Sequence, residues 1–234
     1  MIRLETVSEK TFSSVARLKV SPEQEQFVSS NLVSLAQAWL YYDFAKPFAI
    51  MDDDTVVGFM MLDWNEDERT VGVWRMMIGQ DFQGRGYGRA AMEEAIRMIR
   101  EAEKFDMIYL SYVPENTAAQ KLYASCGFCE TGEKIDDEIV MKLFLTDQPK
   151  VGYALVKEYN IEEIMEWTDK EKAKGKTLPP ILSSAELLQT AVKNKQVKMF
   201  LIMGEVIGLC IDDEIVLSDE YAEYLEQAKE KVNA

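Results

Sequence analysis

Gln83-Gly84-Arg85-Gly86-Tyr87-Gly88-Arg89 sets three glycines and two arginines within seven residues, a composition suited to holding an anion. The glycines let the backbone turn tightly and aim successive N–H groups in one direction, and the arginines add fixed positive charge. Two familiar nucleotide loops do not fit. A nucleoside-triphosphate loop closes on Gly-Lys-Ser/Thr, and a dinucleotide fingerprint carries its third glycine one place later, whereas Gly88-Arg89-Ala90 stand here. The chemistry that remains is the binding of another phosphate-bearing group.

What the chain lacks excludes more. It contains no histidine, which removes Ser-His and Cys-His nucleophile pairs and His-containing zinc sites. Cys126 and Cys129 enclose Gly127-Phe128, with Cys210 the only other cysteine. No second C-x-x-C completes a zinc knuckle, so the pair reads as two small, partly buried side chains and no metal is expected. A net charge of −15 argues against nucleic acid and favours a cationic partner. No run approaches the roughly 20 apolar residues of a membrane span, and residues 1–5 form no charged-then-apolar leader. A soluble protein with a cytoplasmic address and no membrane partner is expected.

The elements that must position the loop are given by periodicity. An apolar run at 73–78 leads into it and a helical pattern over 90–103 leads out, so the loop joins a strand to a helix whose positive dipole end adds to its anion affinity. Upstream, 2–7 reads as a strand and 9–15 as a short helix. Ser21-Pro22-Glu23-Gln24, with a hydroxyl cap, proline at the first helical position and Gln at the third, marks the start of a long helix continuing to Leu40 with a break near 29–31. Residues 47–51 and 55–62 form a hairpin around Asp52-Asp53-Asp54, and a turn at 65–68 leads to the strand ending at Ile78. Downstream come a strand at 107–112, a helix at 114–125 and a strand at 138–145, in the overall order βααβββαβαβ.

The Q-x-x-G-x-G of Gln83, Gly86 and Gly88 resembles the acyl-CoA pyrophosphate loop of the GCN5-related N-acetyltransferases (GNAT). A second motif supports this. Asn116, Ala119, Leu122, Tyr123, Gly127 and Phe128 keep the spacing of the family's V-x-x-x-N-x-x-A-x-x-L-Y-x-x-x-G-F, with Val113 one place late for its first position. The resemblance covers residues 1–146 and implies an α/β (α+β) GNAT fold, a mixed central sheet splayed after the fourth strand with flanking helices. It implies acetyl-CoA as the donor.

The resemblance also implies roles. The backbone of Met76, Met77 and Ile78 would bind the pantetheine arm, with the Ile78 N–H as oxyanion donor. The pyrophosphate would take N–H groups from Gln83, Gly84, Arg85, Gly86, Tyr87, Gly88 and Arg89, and Asn116 would bond the arm. Tyr123 would stand near the sulfur as general acid to the departing thiolate. Without the resemblance, Tyr123 reads as an aromatic on the buried face of its helix.

The acceptor must be an amine, and an alkylammonium must lose its proton to attack, costing about 4 to 5 kcal/mol at pH 7. Glu23 and Glu25, at the start of the long helix, and Asp63, at the end of the third strand, lie in segments that line the family's acceptor cleft. A first-turn acid such as Glu23 also serves simply to complement the helix dipole. The stretches 21–28, 34–39 and 47–50 look like the bacterial spermine/spermidine acetyltransferase branch. A linear polycation suits acidic groups between aromatic walls such as Trp39, Tyr41, Tyr42 and Trp64. Two alternatives stay open: the same transfer to a protein amine or another small amine, and a non-catalytic acyl-CoA sensor. A homodimer is compatible with either.

Residues 147–234 read as a small α+β module of unknown role. A strand at 151–155, a helix at 161–174, a helix to about Lys193 opened by the capping box Ser183-Ser184-Ala185-Glu186, a hairpin at 197–203 and 206–211, a strand at 214–217 and a helix capped by Ser218 come after a connector at 146–150. Its hairpin echoes the one near residue 50, pairing Phe200 with Phe48, but no second Q-x-x-G-x-G accompanies it.

Overall fold

The computed structural model describes residues 1–194 and 197–233, which form two compact units, Met1–Asn65 with Thr70–Leu145, and Glu66–Arg69 with the residues from Thr146 onward. The first unit runs β1 (Ile2–Thr6), α1 (Glu9–Arg17), α2 (Asn31–Leu40), β2 (Ala45–Asp52), β3 (Thr55–Asn65), β4 (Thr70–Ile78), α3 (Tyr87–Glu101), β5 (Met107–Tyr112), α4 (Thr117–Ser125), β6 (Cys129–Ile135) and β7 (Glu138–Phe144). Its seven strands form one mixed sheet in the order β1-β2-β3-β4-β5-β7-β6, in which β4 and β5 are the parallel pair.

Strand periodicity divides the core between the two faces. In β3, Met60 and Leu62 point to one side and pack with Met92 and Ile99 of α3 and Ile108 of β5, while Phe59 and Met61 point to the other and pack with Val15 of α1 and Ala38 of α2. Each face is therefore closed by its own helices, the arrangement a sheet needs to bury both sides.

Three expectations are corrected. Ser21-Pro22-Glu23-Gln24 does form a capped turn, but it is a single 3-10 turn at Pro22–Gln24, and the long helix begins only at Asn31, where Ser30 Oγ accepts from the Val33 N–H at 3.4 Å. The Pro-Glu-Gln signature is satisfied locally, and a second serine cap nine residues on starts the helix afresh. The helix expected from residue 114 begins at Thr117, because Asn116 is its cap, with Oδ1 accepting from Ala119 N–H at 3.2 Å. Strand β6 has no counterpart among the expected elements: every residue in it is exposed, so it shows no apolar alternation.

The second unit contains β8 (Gly152–Leu155), α5 (Ile161–Ala173), α6 (Ala185–Lys193), β9 (Val197–Ile202), β10 (Glu205–Ile211), β11 (Glu214–Leu217) and α7 (Leu225–Asn233). Its strands order as β11-β10-β9-β8. Ser218 stands at the head of a 3-10 segment, Asp219–Tyr224, rather than of α7, and its hydroxyl accepts the Trp167 indole N–H at 2.9 Å instead of capping.

This unit repeats the plan of β1 to α3: one strand, two helices with a 3-10 turn opening on proline between them, three antiparallel strands, a 3-10 turn and a helix. The agreement reaches single residues. A register shift skips Val57 between β2 and β3 and Ile207 between β9 and β10. Gly58 lies opposite Ile78, and Gly208 opposite Leu217. Beyond the fourth strand, Gly79 N–H donates to Val57 O at 3.0 Å and Ser218 N–H to Ile207 O at 2.8 Å. In this register Phe200 matches Ile50, since both face the glycine, and not Phe48.

Candidate active site

The sheet opens beside β4. Pairing with β5 is confined to Thr70↔Met107, Val71↔Ile108 and Gly72↔Tyr109, although β4 runs on to Ile78. A register shift against β3 leaves Trp74 as an extra residue, and a bulge of this kind bends a strand and re-aims the residues beyond it. Because Gly79 N–H is committed to Val57 on β3, strand alternation turns the N–H and C=O of Ile78, and of Met76, into the opening. Met77 differs. Its backbone lies opposite Phe59, its side chain is buried with α1 and α2, and its sulfur accepts from Asn31 Nδ2 at 3.6 Å.

Below the opening lies the glycine loop. Gly84 and Gly86 have φ of +74° and +82°, a region that costs other residues about 1–2 kcal/mol, and a Cβ on either would meet nothing within 4 Å. The space above them is open. At Gly88 a Cβ would make only ordinary contact, 3.4 Å from Leu122 Cδ2 of α4. The first intrahelical bond of α3 runs from Ala90 N–H to Gly86 O at 3.1 Å. The N–H groups of Tyr87, Gly88 and Arg89 thus project ahead of the helix together with its dipole.

Side chains brace this loop. Gln83 Nε2 donates to Ile78 O at 2.9 Å and to Gln24 Oε1 at 2.8 Å, so one amide ties the strand end to the 3-10 turn. Arg85 donates to Asp81 O at 2.9 Å and Arg89 to Ser125 O at 3.4 Å. Tyr87 OH donates to Asp52 Oδ2 at 2.6 Å, which pushes the phenol up and holds the Asp52 carboxyl below its usual range.

Tyr123 lies on α4, half-buried and 6.2 Å from Phe128 between ring centroids. Burial, and then the charge of Glu138, push its phenol up to about 12, so it holds its proton throughout the neutral range. Asn116 is already occupied at Oδ1 by its capping bond.

On the acceptor side the expected residues divide. Glu23 and Glu25 are both exposed, on and just beyond the 3-10 turn that Gln24 joins to Gln83. With no long helix behind them, a dipole does not account for them. Its own backbone N–H, and then the Ser21 hydroxyl, hold the Glu23 carboxyl below its usual range. Asp63 accepts from Tyr109 OH at 3.0 Å, with the Tyr109 ring passing over Gly72, where a Cβ would come within 2.8 Å of it. Trp39 is 79% exposed, and it is Tyr41 whose ring meets Trp74 of β4, at 5.7 Å. Trp64, expected as a wall of the cleft, belongs to the core, edge-on to Phe105 at 4.7 Å; at the end of its strand it alternates inward.

Three residues of this region escaped the sequence. Glu138, the first residue of β7, accepts the Ser111 hydroxyl on Oε2, and its charge acts on Arg75 of β4 and on Tyr123. Arg75 is half-buried, donates to Trp74 O at 2.7 Å and leaves Nε buried without a partner. The one available signal was Tyr109 and Ser111, two hydroxyls at strand period in an otherwise apolar strand. Cys126 and Cys129 are free thiols. Among the described residues no cluster of three or more His, Cys, Asp or Glu could hold a metal, and no helix is long and apolar enough to cross a membrane.

Comparison with known proteins agrees with this geometry. The acetyltransferase (GNAT) family matches residues 13–128. The spermine/spermidine N(1)-acetyltransferase of Bacillus subtilis (strain 168) is 31% identical over 140 residues, which cover 56% of this chain and 90% of that protein. Among solved structures, spermidine N-acetyltransferase from Vibrio cholerae, in complex with CoA and spermine, superposes with a TM-score of 0.52 at 20% identity, covering 62% of this chain and 95% of that one. An aminoglycoside acetyltransferase in complex with coenzyme A gives the same TM-score and coverage at 15% identity. At these identities the two structures speak for the fold.

Proposed function

Since this chain belongs to the acetyltransferase (GNAT) family, we propose that it moves an acetyl group from acetyl-CoA to a primary amine of spermidine or spermine, by direct attack in a ternary complex. We assign the reaction to residues 1–146 and treat 147–234 as a separate module. The observation that carries the reading is the opening between β4 and β5 directly above a glycine loop whose N–H groups face open space. A pyrophosphate fits that loop, and an extended arm fits the unpaired edge of Met76 and Ile78.

In this reading the loop and the start of α3 bind the diphosphate, while Gln83, bonded to Ile78 O, fixes the strand end beside it. The Ile78 N–H stabilises the oxyanion that forms as the amine nitrogen attacks the thioester carbonyl. Tyr123, which its raised pKa keeps protonated, then gives its proton to the departing sulfur. Support for a polyamine comes from the relative at 31% identity and from a net charge of −15, which attracts polycations.

The test is acetyl-CoA turnover with spermidine, spermine and a panel of lysine peptides. Polyamines should give the highest kcat/KM. Higher kcat/KM for peptides would overturn the acceptor assignment, and acetyl-CoA binding without transfer to any amine would overturn the reaction.

A further inference from the structure

The amine's proton needs an acceptor, and the chain has no histidine to serve. Glu138 is bonded to Ser111, which lies on β5 beyond Tyr109, the last residue of that strand to pair with β4. Ser111 donates to Oε2 of Glu138, whose charge acts on Tyr123 of α4. Arg75, on the β4 side, is within its electrostatic reach. We propose that Glu138 accepts the proton of the attacking amine, with Ser111 as its positioning residue. This rests on the acetyl-transfer reading above.

The placement suits the task from every side. The Ser111 bond fixes Oε2 and leaves Oε1 to accept from an incoming ammonium. The half-buried Arg75 guanidinium, which keeps an unpaired Nε, disfavours a second cation beside it, so it pushes the bound amine toward its neutral form. Tyr123, on α4, feels the charge of the same carboxylate and is neutral at these pH values. From β6, Ile135 lies opposite Glu138 and contributes no charge, while Asp136 and Asp137 occupy the exposed turn between β6 and β7. The protons balance. The ammonium gives one to Glu138, which passes it to solvent. The nitrogen attacks, the C–S bond breaks, Tyr123 protonates sulfur, and the resulting phenolate recovers the remaining proton from the new amide nitrogen.

Glu23, Glu25 and Asp63 are less suited to the role. The first two are exposed on and beside the 3-10 turn, and Asp63 lies opposite Gly72, where β4 and β5 are still paired and not along the opening. They are better placed to hold the distal charges of a long substrate.

The experiment compares wild type with Glu138→Gln, Glu138→Asp and Ser111→Ala in full-length protein, measuring kcat and KM for amine and acetyl-CoA from pH 6.5 to 10. Glu138→Gln should lose about 100-fold or more in kcat/KM for the amine at neutral pH, with acetyl-CoA KM within about twofold of wild type. The deficit should narrow as pH approaches the amine's reference pKa of about 10.4, where free amine needs no base. Glu138→Asp should retain part of the rate, and Ser111→Ala should lose less than Glu138→Gln with the same pH trend. A Glu138→Gln effect confined to amine KM, with kcat and pH profile unchanged, would overturn the proposal, as would no effect. If wild type prefers a lysine peptide and Glu138→Gln still loses rate on it, the polyamine reading fails while Glu138 keeps its role.

Discussion

Replacing Gly58 by alanine tests whether the position of Ile78 governs the reaction. Gly58 lies on β3 opposite Ile78, and a Cβ there would fall 2.6 Å from Met77 O, 2.8 Å from Ile78 Cδ1 and 2.9 Å from Ile50 Cδ1. The side-chain atoms can rotate aside, but the carbonyl belongs to the strand. Moving it from 2.6 Å to the 3.4 Å of ordinary contact shifts β4 by about 0.8 Å. Overpacking of this kind costs about 1–3 kcal/mol, lowering Tm by about 2–4 °C per kcal/mol in a domain of this size. An oxyanion donor is worth about 10²–10³ in kcat, so a displacement of most of an ångström should reduce kcat about 10- to 100-fold while the loop, and hence acetyl-CoA KM, changes little. Gly208→Ala supplies the matched control: its Cβ would meet Val216 O and, at 2.9 Å, Leu217 Cα, in the equivalent hairpin of the second unit. Thermal melts and steady-state kinetics of both variants decide. If Gly58→Ala melts early but keeps its kcat, or if Gly208→Ala loses as much kcat, then the effect does not act through Ile78.

Tyr123→Phe should lower kcat about 100-fold or more with acetyl-CoA affinity retained, measured by initial rates and calorimetry. The same residue predicts an alkaline trend. Its folded pKa of about 12 exceeds the unfolded value of about 10, so its contribution to stability is complete below pH 10 and is lost as pH rises from about 10 to about 12; Tyr123→Phe should flatten that decline in melts recorded across the range. Gly86→Ala forces alanine into left-handed backbone at about 1–2 kcal/mol, whereas asparagine tolerates that conformation. If the open space above Gly86 receives a phosphate, both should raise acetyl-CoA KM, and only alanine should also lower Tm. Asn116→Ala removes the α4 cap at about 1 kcal/mol; a rise in acetyl-CoA KM beyond about fivefold would show that Asn116 also bonds the substrate.

Much of this could be read from the sequence because short motifs with a backbone reason carry their geometry with them. Gly84, Gly86 and Gly88 marked the strand-to-helix corner, the Asp52–Asp54 cluster marked the β2–β3 turn, and the apolar runs gave β5 to the residue, the start of β3 and the end of β4, while β3 runs on to Asn65 and β4 begins at Thr70. What failed lacked such a signal. The Pro22 turn carries the features of a helix start yet closes after one turn, since nothing in a capping motif specifies the length of the helix behind it. Strand β6 is exposed along its length and is held by pairing with β7 rather than by burial. Glu138 and Arg75 have no motif around them. Their charges come within reach of each other because β4 bulges at Trp74 and β7 inserts between β5 and β6, long-range register events that local spacing cannot encode.

The second unit shows by contrast what makes the first a candidate for acyl-CoA. Both reach the end of a fourth strand by the same route, with the same skipped residue, the same glycine and the same N–H to carbonyl bond, and in both a side-chain nitrogen bonds the last carbonyl, Gln83 Nε2 at Ile78 and Lys176 Nζ at Leu217. They diverge one residue later. After Gly79 the first unit continues to two left-handed glycines with arginines beside them. After Ser218 the second continues Asp219-Glu220-Tyr221-Ala222-Glu223-Tyr224, with three acids and no glycine, and closes a 3-10 segment. Those carboxylates would repel a diphosphate, and Lys176, paired with Asp219 at 2.8 Å, occupies the strand end where an arm would begin. On the proposed reading, a shared strand scaffold is therefore not sufficient for anion binding, and the left-handed glycines with the helix start behind them are what the first unit adds.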